Sequence, residues 1–158
     1  MKFFKNIAMV SILALPLLNA CTYLKPNNVV EVPNLTPKVL LAATPWLTTE
    51  AKDQNAQAVA LDDARAKNYV GYAYFKKDGS FKMYNLDDSL KMQGTWSVSD
   101  DGKTRTINAY DGNGKLLFTR VVEIVTLNTQ EFSYRVAGQN GQYTDIIHKP
   151  TDHTEPKS

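Results

Sequence analysis

Residues 91–114 read KMQGTWSVSDDGKTRTINAYDGNG. Gly94, Trp96 and Val98 alternate with Thr95, Ser97 and Ser99, so one face is apolar and the other polar. A period of two with one apolar face marks a half-buried strand. Asp101-Gly102 interrupts the pattern, Thr104–Tyr110 restarts it, and Asp111-Gly112-Asn113-Gly114 ends it again. Asp-Gly and Asn-Gly supply the positive φ angles of tight hairpins. The segment therefore predicts two antiparallel strands joined by a hairpin.

The same theme runs outward from here. Turn signals stand at Asp78-Gly79, Asp87-Asp88-Ser89, Leu127-Asn128-Thr129-Gln130 and Gly138-Gln139-Asn140-Gly141. Between the turns, strands are expected at Asn68–Lys76, Ser80–Leu86, Lys91–Ser99, Thr104–Tyr110, Leu116–Thr126, Glu131–Val136 and Tyr143–His148. Upstream, Thr44–Thr49 reads as an opening strand carrying a core tryptophan, Trp46. Residues 56–66 suit either a helix, being rich in Ala, Leu, Lys and Arg, or a strand at Ala56–Leu61 entered from Asp53-Gln54-Asn55. The strand is preferred, with a loop at Asp62–Lys67. A run of strands this long leaves two exposed edges unless it closes. The expectation is an all-β domain, a small antiparallel up-and-down barrel of about seven to eight strands.

The amino terminus has a different character. Lys2 and Lys5 precede the 12-residue apolar run Ile7–Leu18. At about 1.5 Å per residue, that run is too short for a hydrocarbon core about 30 Å thick. A basic flank, a short apolar run and a small residue before a cut form the secretory signal pattern. Leu18-Asn19-Ala20-Cys21 resembles the bacterial lipobox at Leu18, Ala20 and Cys21, with Asn19 the less usual residue. The resemblance implies cleavage after Ala20 and lipidation of Cys21. Two or more acyl chains hold a protein stably on a membrane. Thr22 after the cysteine, rather than Asp, resembles the outer-membrane destination in two-membrane bacteria. Pro26, Pro33 and Pro37 among asparagines then oppose a continuous helix and suit a flexible tether. The expected division is a signal over 1–20, a lipidated cysteine and tether over 21–40, a β-domain over 41–150 and a disordered tail over 151–158.

Composition narrows the function classes. The chain has 18 basic and 16 acidic residues, and Lys2 and Lys5 leave with the signal. The remaining charge is near zero, without the basic footprint that nucleic acid demands. The expected partners are the membrane, through the anchor, and a small apolar or amphipathic ligand or an envelope protein. With a single cysteine there is no disulfide to staple the exported domain. About 105 to 110 patterned residues suffice to fold on their own core.

Candidate chemistry is sparse. His148 lies three residues from Asp145, on the opposite face of one strand, so the two cannot pair there. It is expected to be a strand-end or rim histidine with a structural role. Zinc needs three or four ligands, and one histidine in the fold with no available thiol argues against a metal site. No phosphate loop, nucleophile elbow or dinucleotide fingerprint occurs. Neither enzyme activity nor a cofactor is expected. Arg105 alternates with Ile107 and Ala109, and Arg120 with Phe118, Val122 and Ile124. Both guanidinium groups are expected to point inward, to hold an anionic ligand group, to snorkel to the barrel mouth or to pair with a carboxylate. Trp96 and Tyr134 complete the candidate ligand-binding set.

Several elements together carry a family resemblance. They are Tyr69-Val70-Gly71-Tyr72-Ala73-Tyr74 with Asp78-Gly79 and Phe81–Tyr84, then Gly94–Arg105, Glu131–Tyr134 and Ile147–Pro150. Over about Leu41 to Pro150 they resemble a bacterial lipoprotein family catalogued as a domain of unknown function, with a lipocalin-like barrel. The resemblance implies an exported or lipid-anchored domain and carries over no catalytic residue. The functional expectation is a non-enzymatic envelope module that binds at its barrel mouth. The alternative is a structural or assembly lipoprotein with a solid core and no ligand.

Overall fold

The computed structural model describes residues 35–157. The expected signal, Cys21 and most of the tether lie outside the described residues. Nine strands follow one another: β1 (Trp46–Asp53), β2 (Ala58–Val59), β3 (Tyr72–Phe75), β4 (Ser80–Tyr84), β5 (Leu90–Val98), β6 (Thr104–Tyr110), β7 (Leu116–Leu127), β8 (Phe132–Ala137) and β9 (Tyr143–Pro150). From β3 to β9 each strand pairs antiparallel with the next. β1 closes the ring, pairing with β3 through Trp46–Ala73 and Leu47–Tyr72, and with β9 from Trp46–Pro150 to Asp53–Thr144. The result is a closed antiparallel barrel of eight strands, with β2 a short spur on β1. The expected all-β up-and-down barrel is the fold observed.

The turns show why the meander forms. Asp78, Asp87, Asp101 and Asp111 each accept a backbone N–H two residues on, at 2.8–3.0 Å. Asn128 does the same for Gln130 at 2.8 Å. Such side-chain turns reverse the chain without help from distant residues. Gly94 marks the closest approach of two strands. A Cβ there would stand 1.9 Å from the Asn108 carbonyl oxygen, and the Phe81 ring lies over the bare position at 3.1 Å.

Alternation puts the expected side chains inside. Trp46, Ile107, Phe132 and Ile146 are wholly buried, with Phe75, Phe81, Trp96 and Val122 nearly so. Rings meet edge-to-face through this core, Trp46 with Phe132 at 5.9 Å and Phe75 with Trp96 at 5.2 Å. That spacing is the favoured arrangement of aromatic quadrupoles.

Some boundaries differ from the expectation. Residues 56–66 form neither a helix nor a full strand. Asp53 Oδ1 accepts from Asn55 and Gln57, which turns the chain into the two-residue β2 before it departs. Asn68 and Tyr69 are not in a strand. Lys67–Tyr69 is a single 3-10 turn, and Gly71 at φ 143° is the kink from which β3 begins. The end of the expected tether is also ordered. Thr36 caps a short helix, α1 (Pro37–Leu41), accepting from the Val39 N–H at 3.3 Å. Pro37 occupies the first turn, where a missing N–H costs nothing. Leu41 is fully buried, and its carbonyl accepts from Trp46 Nε1 at 2.9 Å.

The tail expected to be disordered packs on the barrel over residues 151–157. The Thr151 N–H donates to Pro45 O at 3.0 Å. His153 stacks on Tyr72 with centroids 3.7 Å apart, its Nδ1 meets the Tyr74 hydroxyl, and its Nε2 lies 3.1 Å from Asp88. Glu155 reaches Lys76 at 3.0 Å, and Tyr84 donates to Pro156 O at 3.4 Å. This polar stretch is held because Tyr72 and Tyr74 offer aromatic surface with hydroxyl ends.

Candidate functional site

Arg105 enters the barrel from the second position of β6, between exposed Thr104 and half-buried Thr106. Its side chain is 1% exposed. The guanidinium carbon lies 4.6 Å from the Tyr134 ring centre, 5.5 Å from Phe75 and 5.6 Å from Phe132. These faces attract a cation but offer few acceptors. Tyr134 gives a weak favourable polar contact. Yet Nε, Nη1 and Nη2 have no hydrogen-bond partner of ordinary geometry among the described residues. Burial pushes against the charge, and the nearby Arg120 adds to that push. A guanidinium nevertheless keeps its proton in proteins. An unpaired buried ion of this kind costs several kcal/mol.

Arg105 faces a small chamber with Arg120, Lys91, His148, Tyr134 and Tyr69 in its walls. Its volume is about 10 Å³. That is room for roughly one water-sized occupant. Arg120 lies across the ring of Tyr69 at 5.1 Å and that of Phe118 at 4.9 Å. Lys91 donates to the Val70 carbonyl at 2.6 Å, and burial lowers its pKa. Among the described residues, no carboxylate lines the chamber.

His148 is 3% exposed and sits inside the barrel, not at its rim. Its parity on β9 is that of the buried Ile146 and Thr144. Nδ1 donates to Phe132 O at 3.2 Å. Burial, aided by Arg105, holds its pKa down to about 3, so the ring is neutral. Asp145 points outward and pairs through both oxygens with Arg135 at 2.9 and 3.0 Å. The two residues are separated as the parity argument required.

Tyr69 forms part of the chamber wall. Its ring meets Tyr134 edge-on at 6.3 Å. Tyr69 also borders a cleft of about 460 Å³, bounded by the segment from Asp53 to Tyr69 and by the β8–β9 hairpin. Asn55, Arg65, Val136, Ala137, Gln142 and Tyr143 line it. Asn68 and Tyr69 belong to both walls.

Three of the residues expected to bind a ligand, Arg105, Arg120 and Tyr134, thus come together. Trp96 does not join them. Its Nε1 donates to Lys76 O at 2.9 Å, its ring packs on Phe75, and it lies outside the chamber wall. Cys21 is outside the described residues. The sequence reading passed over Tyr69, Lys91 and the inward His148. Only the parity of His148 with Ile146 signalled its place. No group of three or more potential metal ligands occurs among the described residues.

Comparison by family model decides the affiliation. The model of a domain of unknown function, DUF4822, matches residues 38–158. The chain belongs to this family. The match begins within α1 and takes in the packed tail, so both extend the unit beyond the barrel. Comparison with curated proteins finds no match for this DUF4822 chain.

Proposed function

We propose that the chain is a lipid-anchored lipoprotein of the cell envelope, held through Cys21, whose lipocalin-like barrel binds a small amphipathic molecule at its mouth without transforming it. The signal pattern and the lipobox-like Leu18–Cys21 support the anchor, with Thr22 favouring the outer membrane of a two-membrane host. The cleft beyond Tyr69 carries the binding reading. Its volume of about 460 Å³ lies in the range of small-molecule sites. Its walls mix an aromatic ring and aliphatic carbon (Tyr143, Val136, Ala137) with amides (Asn55, Gln142). Such a lining suits a molecule with one apolar and one polar end. The barrel axis offers no comparable space, because aromatic side chains fill it.

That filled axis also favours a second reading, a structural lipoprotein with a solid core and no ligand. Solvent extraction of the full chain, purified from its own membranes, separates the two. The binding reading expects a co-extracted amphipath that is lost in Ala137→Trp, where an exposed cleft wall becomes a ring that fills the space. A clean extract from the wild type supports the solid core. An equal yield from Ala137→Trp contradicts binding at the mouth.

A further inference from the structure

The most unusual group in the barrel is a charge without a counter-charge. Arg105 presents five N–H donors, and its three nitrogens are buried with no hydrogen-bond partner of ordinary geometry among the described residues, Tyr134 offering the one favourable polar contact there. Its neighbours on three sides are the rings of Phe75, Phe132 and Tyr134. The remaining direction is the chamber beneath Tyr69. Among the described residues, the cations in that wall are Arg105, Arg120 and Lys91, and no carboxylate lines it.

We propose that this chamber is an anion site, and that it holds one monovalent ion of halide size between the Arg105 guanidinium, the Arg120 side chain and the Tyr134 hydroxyl. Size and charge select the occupant. A chamber of about 10 Å³ admits a single atom-sized species. Sulfate and phosphate, with four oxygens around a central atom, exceed it. A water molecule fits and accepts from one or two N–H groups, but it leaves the positive charge uncompensated in a water-poor interior. A halide accepts several N–H and O–H donors at once and neutralises one charge. The chamber and the cleft proposed for an amphipath are two distinct cavities, which share Asn68 and Tyr69 in their walls. An ion here fixes Tyr134 and Arg120, hence the Tyr69 ring that packs on both.

Thermal unfolding of the full chain in detergent tests the site, with sodium chloride, sodium bromide or sodium gluconate at equal ionic strength. Gluconate is too large for the chamber and serves as the reference anion. Binding to the folded state alone raises the midpoint with ion concentration. Chloride and bromide are expected to raise it by on the order of 5 °C at tenfold above the dissociation constant, relative to gluconate. In Arg105→Met, which keeps the volume and removes the charge, the halide-specific rise disappears. A wild-type midpoint that is the same in all three salts overturns the proposal, as does an undiminished halide rise in Arg105→Met. Should Arg105→Met fail to fold, wild-type crystals grown in bromide decide. An anomalous bromide peak beside the Arg105 guanidinium supports the site. Density for water alone, or for an organic group reaching in from the cleft, overturns it.

Discussion

His148 lies face to face with Tyr134, ring centroids 5.3 Å apart and planes 25° from parallel. Phe132 continues the stack on the same interior wall, 5.4 Å from the imidazole. The histidine is thus held as an aromatic plate, tied to the backbone by the bond from Nδ1 to Phe132 O.

Acid sensitivity follows from that burial. The His148 pKa is held at about 3, against 6.5 for an ordinary histidine. Above pH 6.5 neither folded nor unfolded chain protonates it, and its contribution to stability is complete. Below pH 6.5 the unfolded chain takes up a proton that the folded chain refuses until about pH 3. Stability is therefore lost as pH falls through this window, by up to about 1.4 kcal/mol per pH unit. Denaturant unfolding at pH 7, 5 and 4 should show a steep decline in the wild type and a shallower one in His148→Gln. Parallel declines would mean that His148 titrates normally in the folded protein.

Trp96 is buried at 5% exposure, bonded through Nε1 to Lys76 O and packed edge-on against Phe75. Trp96→Ala should lower the unfolding free energy by about 3–5 kcal/mol, the range for removing a large core aromatic. Chemical denaturation measures it. A loss below about 1 kcal/mol would be incompatible with this packing.

The carboxyl-terminal strap makes a local prediction. The His153 ring joins Tyr72, Tyr74 and Asp88 through one stack and two polar contacts. His153→Ala should release the strap, exposing the Tyr72 and Tyr74 surface and speeding amide hydrogen exchange in β3 and β4. Global stability should fall by only about 1–2 kcal/mol, as expected for a lost hydrogen bond and ring contact at the surface. Unchanged exchange in β3 and β4 would show that the strap is held by Glu155 and Pro156 instead.

The barrel was legible wherever local chemistry dictates structure. Asp-Gly turns at Gly79 and Gly102 adopt φ of 88° and 71° as their residue types require. The strands they join have the expected parity, Gly94, Trp96 and Val98 inward and Thr95 and Ser97 outward. The misplaced parts depend on contacts distant in sequence. The His153 segment is polar and lacks periodicity, and its order comes from tyrosines about 80 residues earlier. Tyr69 looks like a strand residue, but Gly71 breaks the strand. There the Thr48 N–H donates to Gly71 O at 3.1 Å, and the Thr48 hydroxyl donates to Tyr69 O at 2.9 Å. In the candidate site, parity put Arg105, Arg120 and Tyr134 inside. It did not reveal that Arg105 would lack a partner, since pairing depends on which strands face each other across the barrel. Trp96 shares the inward parity but lies on a different part of the wall.

Attachment through Cys21 decides whether the barrel works at a membrane, and metabolic labelling tests it most directly. Cells grown with labelled palmitate should yield labelled wild-type protein in the membrane fraction, and unlabelled protein from Cys21→Ser. Equal label in both, or an unlabelled wild type, would contradict a lipid-anchored module.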